Sequence, residues 1–282
     1  MAELVGHLAN CIIEGDSYSD VDGVKIKNKI VFQLKSKTIE IVQSPTLFID
    51  PKSLAEYQGK FIRSTRVVVY DVEEKDIGYY SDVISKLASL LSFITTSQVV
   101  YTAYEYPAGK IRQVLKVLGR TDIMHHVLEL HRGDEIKEFI VKTWEKFEDN
   151  YELRKLPLIF DYIFQAFSIN TIETKLVFSY VTLESLKYTF AKEKGYTFSK
   201  GFFHDHNKKQ LNINKLIEMM LSEIGIVFKI NEITELRNDI IHSGYTEKTF
   251  DHNFKIFIYC QHIIRDYLIK LLGYKGDYIL VR

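Results

Sequence analysis

Two cysteines and four prolines are all that this chain of 282 residues contains of either type. Cys11 and Cys260 lie far apart, one in an apolar strand-like stretch and one in an aromatic helix-like stretch. They read as buried free thiols, which fits a reducing compartment. No Cys-x-x-Cys occurs, which argues against a cysteine zinc site. With four prolines and fourteen glycines there is no low-complexity linker. Net charge is also missing. The 37 basic and 37 acidic residues cancel, so no whole-molecule field draws in nucleic acid, and such a contact needs a local patch. No window approaches 18 uncharged apolar residues, and the opening Met1-Ala2-Glu3-Leu4 lacks a basic region followed by an apolar run. The reading is a cytoplasmic protein with no signal peptide and no membrane partner. Glycine-rich nucleotide fingerprints and phosphate loops are absent too.

What is present is ordinary globular material, 46% hydrophobic and 26% charged, with 18 Tyr and 18 Phe to fill a core. The length suits two domains. Residues 1–120 read mainly as strands. Residues 5–13 are apolar, and Asp22-Gly23 carries turn chemistry. Over residues 25–37 Ile26, Ile30, Phe32 and Leu34 alternate with Lys25, Lys27, Lys29, Lys35 and Lys37, the period of a half-buried strand or of two shorter ones. The lysine row is either a phosphate-tracking stripe or a solvated face that blocks edge pairing. Residues 66–70 give another strand. A helix follows from near Asp76, with Val83, Leu87, Leu90, Leu91 and Ile94 at helical spacing. Residues 98–106 and 111–118 close the series as strands. The expected fold class is α+β, with this part (residues 1–132) a mixed domain around a mostly antiparallel sheet.

Beyond His131-Arg132-Gly133-Asp134 the period becomes 3.6. Helices are expected over residues 136–147, 158–167, 172–192, 216–228, 230–242 and 254–272, separated by a polar loop at 199–212. Residues 278–281 either add a short strand or dock. Residues 133–282 thus form an all-α bundle of five or six helices.

The chemistry concentrates in Glu235-Leu236-Arg237-Asn238-Asp239-Ile240-Ile241-His242-Ser243-Gly244. Leu236, Ile240 and Ile241 anchor it to a core. Asn238 and His242 share a helix face, whereas Arg237 lies roughly 140° from His242 around an ideal helix. The two heads converge only if the helix ends there or a second copy completes the site. Gly244 is well placed as the left-handed residue past the helix end. A histidine in a last turn faces the negative end of the helix dipole, which favours its charged form. Set against this is the plainer reading of a capped helix end with a solvated arginine and a structural histidine.

Arg237-Asn238 followed by three variable residues and His242 resembles the signature of the HEPN superfamily. In the long earlier helix, Thr182-Leu183-Glu184-Ser185-Leu186 is similar to the Ala-Leu-Glu-x-Leu run of many such domains. The resemblance covers residues 134–273, about half of the chain, and leaves residues 1–130 uncovered. It implies a helical bundle whose Arg-x4-His element ends a late helix, acting as a metal-independent endoribonuclease in a defence or toxin setting. It also implies a homodimer in which two motifs line one RNA cleft. The first domain would then sense or restrain. A non-catalytic HEPN that binds nucleotide or RNA, or serves as a dimerisation module, is the alternative. Some HEPN toxins carry a regulatory tyrosine two residues past the histidine; that position is Gly244 here, and Tyr245 comes one later.

The residue types fit the chemistry without the family. Cleaving RNA with no cofactor needs proton transfer at a 2′-OH and a leaving oxygen, the task of His242, and a clamp for the crowded phosphate, the task of Arg237. Asn238 can orient either. Asp239 reads as a solvent-facing or helix-pairing support. Glu184 sits in an apolar helix and needs a partner, Arg237 or a neighbouring backbone group. His204-Asp205-His206 offers ligand types, but no third ligand at a recognisable spacing, and a polar loop is the simpler account.

Overall fold

The computed structural model describes residues 2–47, 55–114, 119–122, 125–226 and 231–279. It is an α+β protein with an antiparallel seven-stranded sheet towards the N-terminus and a helical region after it. The chain forms two compact units, one of residues 1–144 with 276–279, the other beginning at Glu145.

In the first unit the strands are β1 (Ala2–Ala9), β2 (Ser17–Val21), β3 (Val24–Leu34), β4 (Lys37–Gln43), β5 (Arg63–Val72), β6 (Val100–Glu105) and β7 (Ile111–Gln113). Their order across the sheet is β2-β3-β4-β5-β1-β6-β7. Two tight turns set the register of the first ribbon. Asp22-Gly23 joins β2 to β3 with φ of 53° and 81°, and Lys35-Ser36 joins β3 to β4 with φ of 51° and 62°. Positive φ at both central residues is the turn that matches strand twist. The second turn explains why the alternation of residues 25–37 covers two strands.

Register fixes the faces, because residues directly opposite one another share a side. Ile30, Ile41, Val67, Gly6 and Tyr104 form one row. Helix α1 (Ile77–Thr95) packs on that side. A methyl group on Gly6 would meet the Ile84 side chain at 2.8 Å, so glycine lets the helix approach. Lys29, Val42, Arg66, His7, Ala103 and Gln113 form the row on the opposite face. β1 ends at Ala9, Asn10 follows with φ of 62°, and Cys11, Ile12 and Ile13 of the apolar stretch enter the core as irregular chain.

The chain after β1 is laced to β3. Gly15 N–H donates to Lys27 O at 3.1 Å, and Asp16 N–H donates to Lys29 O at 2.8 Å. A Cβ on Gly15 would lie 2.2 Å from Lys29 N, and one on Gly133 would lie 2.3 Å from the Gly15 carbonyl carbon. Lys137 Nζ holds Asp16 at 3.0 Å. Residues 115–118 of the last expected strand lie outside the described residues, as do 280 and 281 of the tail expected either to add a strand or to dock. The described part of that tail docks, Ile279 N–H donating to Val127 O at 2.8 Å.

Six helices follow among the described residues: α2 (Gly133–Tyr151), α3 (Leu156–Ser168), α4 (Ile172–Glu193), α5 (Ile213–Glu223), α6 (Asn231–Ser243) and α7 (Phe250–Leu271). Helix α4 is the hub of the second unit, packing against α3, α5, α6 and α7. Surrounded helices lose a simple polar face, so hydroxyls appear inside. Ser179 and Thr182 are buried and return their hydroxyl protons to the carbonyls of Lys175 and Phe178. Gln261 of α7 donates to Ser179 Oγ at 2.8 Å. Phe178 and Val181 of the same helix are half-buried.

The stretch expected as a polar loop contains a small antiparallel sheet, β8 (Thr197–Ser199), β9 (Phe202–His204) and β10 (Gln210–Leu211). Phe203 pins it to Ala191 and Leu216. Strands of two or three residues are too short to carry a readable period. No helix among the described residues is long and apolar enough to cross a membrane.

Candidate functional site

Helix α6 sits on α4 through Ile233, Leu236 and Ile240, all buried at i, i+3 and i+7 spacing. Ile241 falls outside that stripe and is 52% exposed, so it does not anchor the helix as its apolar character led one to expect. The helix closes as its glycine predicts. Gly244 has φ of 79°, and its N–H donates to Ile240 O at 2.8 Å, a left-handed cap.

Arg237 begins beside the buried stripe and is half-buried. Its guanidinium carbon lies 5.1 Å from the centroid of the Tyr180 ring on α4. Nη1 donates to Asn238 Oδ1 at 2.9 Å. Nε is buried and has no hydrogen-bond partner among the described residues. The arginine is therefore held at its base by apolar contact and an aromatic face, and steered at its tip by the neighbouring amide. His242 and Asp239 are exposed and make no hydrogen bond or ion pair with the described residues.

Glu184 lies one turn along α4 from Tyr180. Its Oε1 accepts the Tyr180 hydroxyl proton at 2.9 Å, and its Oε2 accepts from Lys187, whose side chain is only 8% exposed. The partners are thus a phenol and an ammonium on the same helix, not the Arg237 or neighbouring backbone group expected from the sequence. Burial first, and then the adjacent Glu184 charge, push the Tyr180 phenol well above its ordinary range, while Arg237 opposes them. Tyr180 stays protonated and bridges Glu184 to Arg237: its hydroxyl holds one and its ring the other. Tyr180 and Lys187 were missed on the sequence although both were signalled. They stand at i−4 and i+3 from a carboxylate in an apolar helix.

His204 and His206 point to no ligand set. His204 Nδ1 lies 3.3 Å from Ser199 Oγ, and His206 packs edge-on against Tyr196. Among the described residues no three His, Cys, Asp or Glu gather around a possible metal. Comparison with models of protein families, with curated proteins and with solved structures gives no match.

Proposed function

We propose that the helical unit is a metal-independent endoribonuclease of HEPN type. The supporting observation is the pairing of a preorganised arginine with a solvent-facing histidine at the capped end of the same helix. Arg237, stacked on Tyr180 and tied to Asn238, binds the scissile phosphate through parallel hydrogen bonds. His242 is free to exchange protons with substrate. The imidazole removes the 2′-OH proton, the 2′ oxygen attacks phosphorus, and the 5′ oxygen leaves with a proton from an imidazolium. Products carry 2′,3′-cyclic phosphate and 5′-OH ends, and DNA is spared. Asn238 orients the clamp; Glu184 and Asp239 act in support. Because Arg237 and His242 leave the helix in different directions, two copies related by a two-fold axis complete the site. Exposed Ile241, Phe250 and Phe254 supply apolar surface for that contact. The setting is a cytoplasmic toxin or antiviral defence effector.

The buried, unpartnered Arg237 Nε favours a second reading, in which the arginine is chiefly a packing element. The unit is then a non-catalytic HEPN that binds nucleotide or RNA or dimerises. Incubation of purified protein with mixed RNA in EDTA separates the two. Cleavage lost in His242→Ala supports the enzyme, and binding without cleavage supports the alternative. Mixing Arg237→Ala with His242→Ala protomers tests the composite site, which predicts partial recovery of activity.

A further inference from the structure

The face of the seven-stranded sheet away from α1 carries a cavity of about 690 Å³. That volume is within the roughly 300–1,000 Å³ typical of small-molecule sites. Arg66 and His7, adjacent in register on β5 and β1, line it, with Gln113 further along the same row. Arg63 joins them where the β5 pairing to β1 slips by a residue.

The charge in this cavity is unbalanced. Arg63 and Arg66 are exposed, and neither makes a hydrogen bond or ion pair with the described residues. Among the described residues lining the cavity there is no aspartate or glutamate. His7 Nε2 lies 3.2 Å from Glu105 Oε1, outside hydrogen-bonding alignment, so that carboxylate is directed at the imidazole and not at the arginines. Two guanidiniums in one concavity repel each other, and a dianionic group between them removes that repulsion while offering oxygens for paired N–H bonds. Phe61 and Ile111, the latter 63% exposed, add apolar wall beside the polar Gln43, Thr65 and Thr102.

We propose that this cavity binds a phosphomonoester borne on a flat ring-containing body, the chemistry of a mononucleotide. The volume far exceeds a bare phosphate, and the apolar walls have no role for one. A polymer is disfavoured because the lysine row of β3 does not extend the positive surface. Lys27 and Lys29 are paired with Glu14 at 3.5 Å and Glu40 at 3.6 Å. This site lies wholly within the first unit and does not depend on the ribonuclease reading.

Calorimetric titration of the full chain with the four ribonucleoside 5′-monophosphates, their nucleosides and inorganic phosphate tests the assignment. At least one monophosphate should bind tenfold or more tightly than both its nucleoside and inorganic phosphate. Arg63→Gln and Arg66→Gln should each weaken it tenfold or more. Ile111→Glu, at an exposed edge-strand position, should do the same without touching the core, which guards against misfolding of the arginine variants. Arg237→Ala should retain the binding. The proposal is overturned if folded wild-type protein binds no monophosphate at millimolar concentration, or if a nucleoside binds equally well. It is also overturned if Arg237→Ala loses the binding while Arg66→Gln keeps it.

Discussion

Alkaline pH should loosen both units, each through one thiol. Cys11 and Cys260 are fully buried, and burial lifts each from 9.0 to about 12. The folded state therefore holds its thiol proton over a range in which the unfolded chain has released it. Stability from this source is complete below pH 9, the unfolded value, and is lost as pH rises towards 12, the folded one. The slope is about 1.4 kcal/mol per pH unit for each thiol, so at pH 10 each unit is weaker than at pH 8 by about 1.4 kcal/mol. Tyr101 and Tyr267, pushed from 10.0 to about 12 by burial, add to the loss only above pH 10. Urea melts at pH 8, 9 and 10 with a non-thiol reductant measure the effect. The fluorescence of Trp144 reports on the first unit, and helical circular dichroism, to which α3–α7 contribute most, reports chiefly on the second. Cys11→Ala should flatten the pH dependence of the first unit and Cys260→Ala that of the second, whatever either does to the baseline. A variant as alkali-sensitive as wild type would refute the reasoning.

Further outcomes follow from single contacts. Gly15→Ala drives a methyl into the β3 backbone and strains two hydrogen bonds, costing about 2–4 kcal/mol and lowering the thermal midpoint by roughly 4–16 °C. Gly244→Ala places a side chain at φ of 79° and should cost about 1 kcal/mol, fraying the last turn of α6 in hydrogen exchange near His242. If Arg237 is the phosphate clamp, Tyr180→Leu should lower RNA cleavage about fivefold, matching about 1 kcal/mol of lost ring contact. Tyr180→Phe, which keeps the ring and drops the Glu184 bond, should lower it less; equal effects would argue that the ring does not position the arginine.

The sequence made the α+β class and most elements legible wherever one face is apolar. The β2–β3 turn was visible in Asp22-Gly23, the α1 stripe in its leucines, and the α6 cap in Gly244. Legibility failed where structure depends on partners distant in the chain. Lys35-Ser36 has no turn-specific composition, yet takes positive φ at both positions because β4 returns along β3. The β8–β10 sheet depends on Phe203 finding Leu216. At the candidate site the side chains of α6 were named, but their support was not. Tyr180 joins Arg237 to Glu184 across a helix-to-helix contact that no spacing within α6 encodes. Arg63 and Arg66 passed unremarked because three residues apart in a strand implies opposite faces. Only the slip in β5 pairing brings both to one cavity.

The position of β1 governs how the sheet can be assembled. Val5 pairs on one side with Val68 and on the other with Glu105, so this strand, earliest of the sheet in chain order, is completed only when β6 arrives. On the ribosome the β2–β5 ribbon can form by successive neighbour pairings while β1 waits, and its second side stays open until β6 emerges. Over that interval the open edge, first of β5 and then of β1, is a template for pairing with another nascent chain. Gly15, tied to β3 immediately after β1, shortens the search by holding the returning strand close to the ribbon it must join.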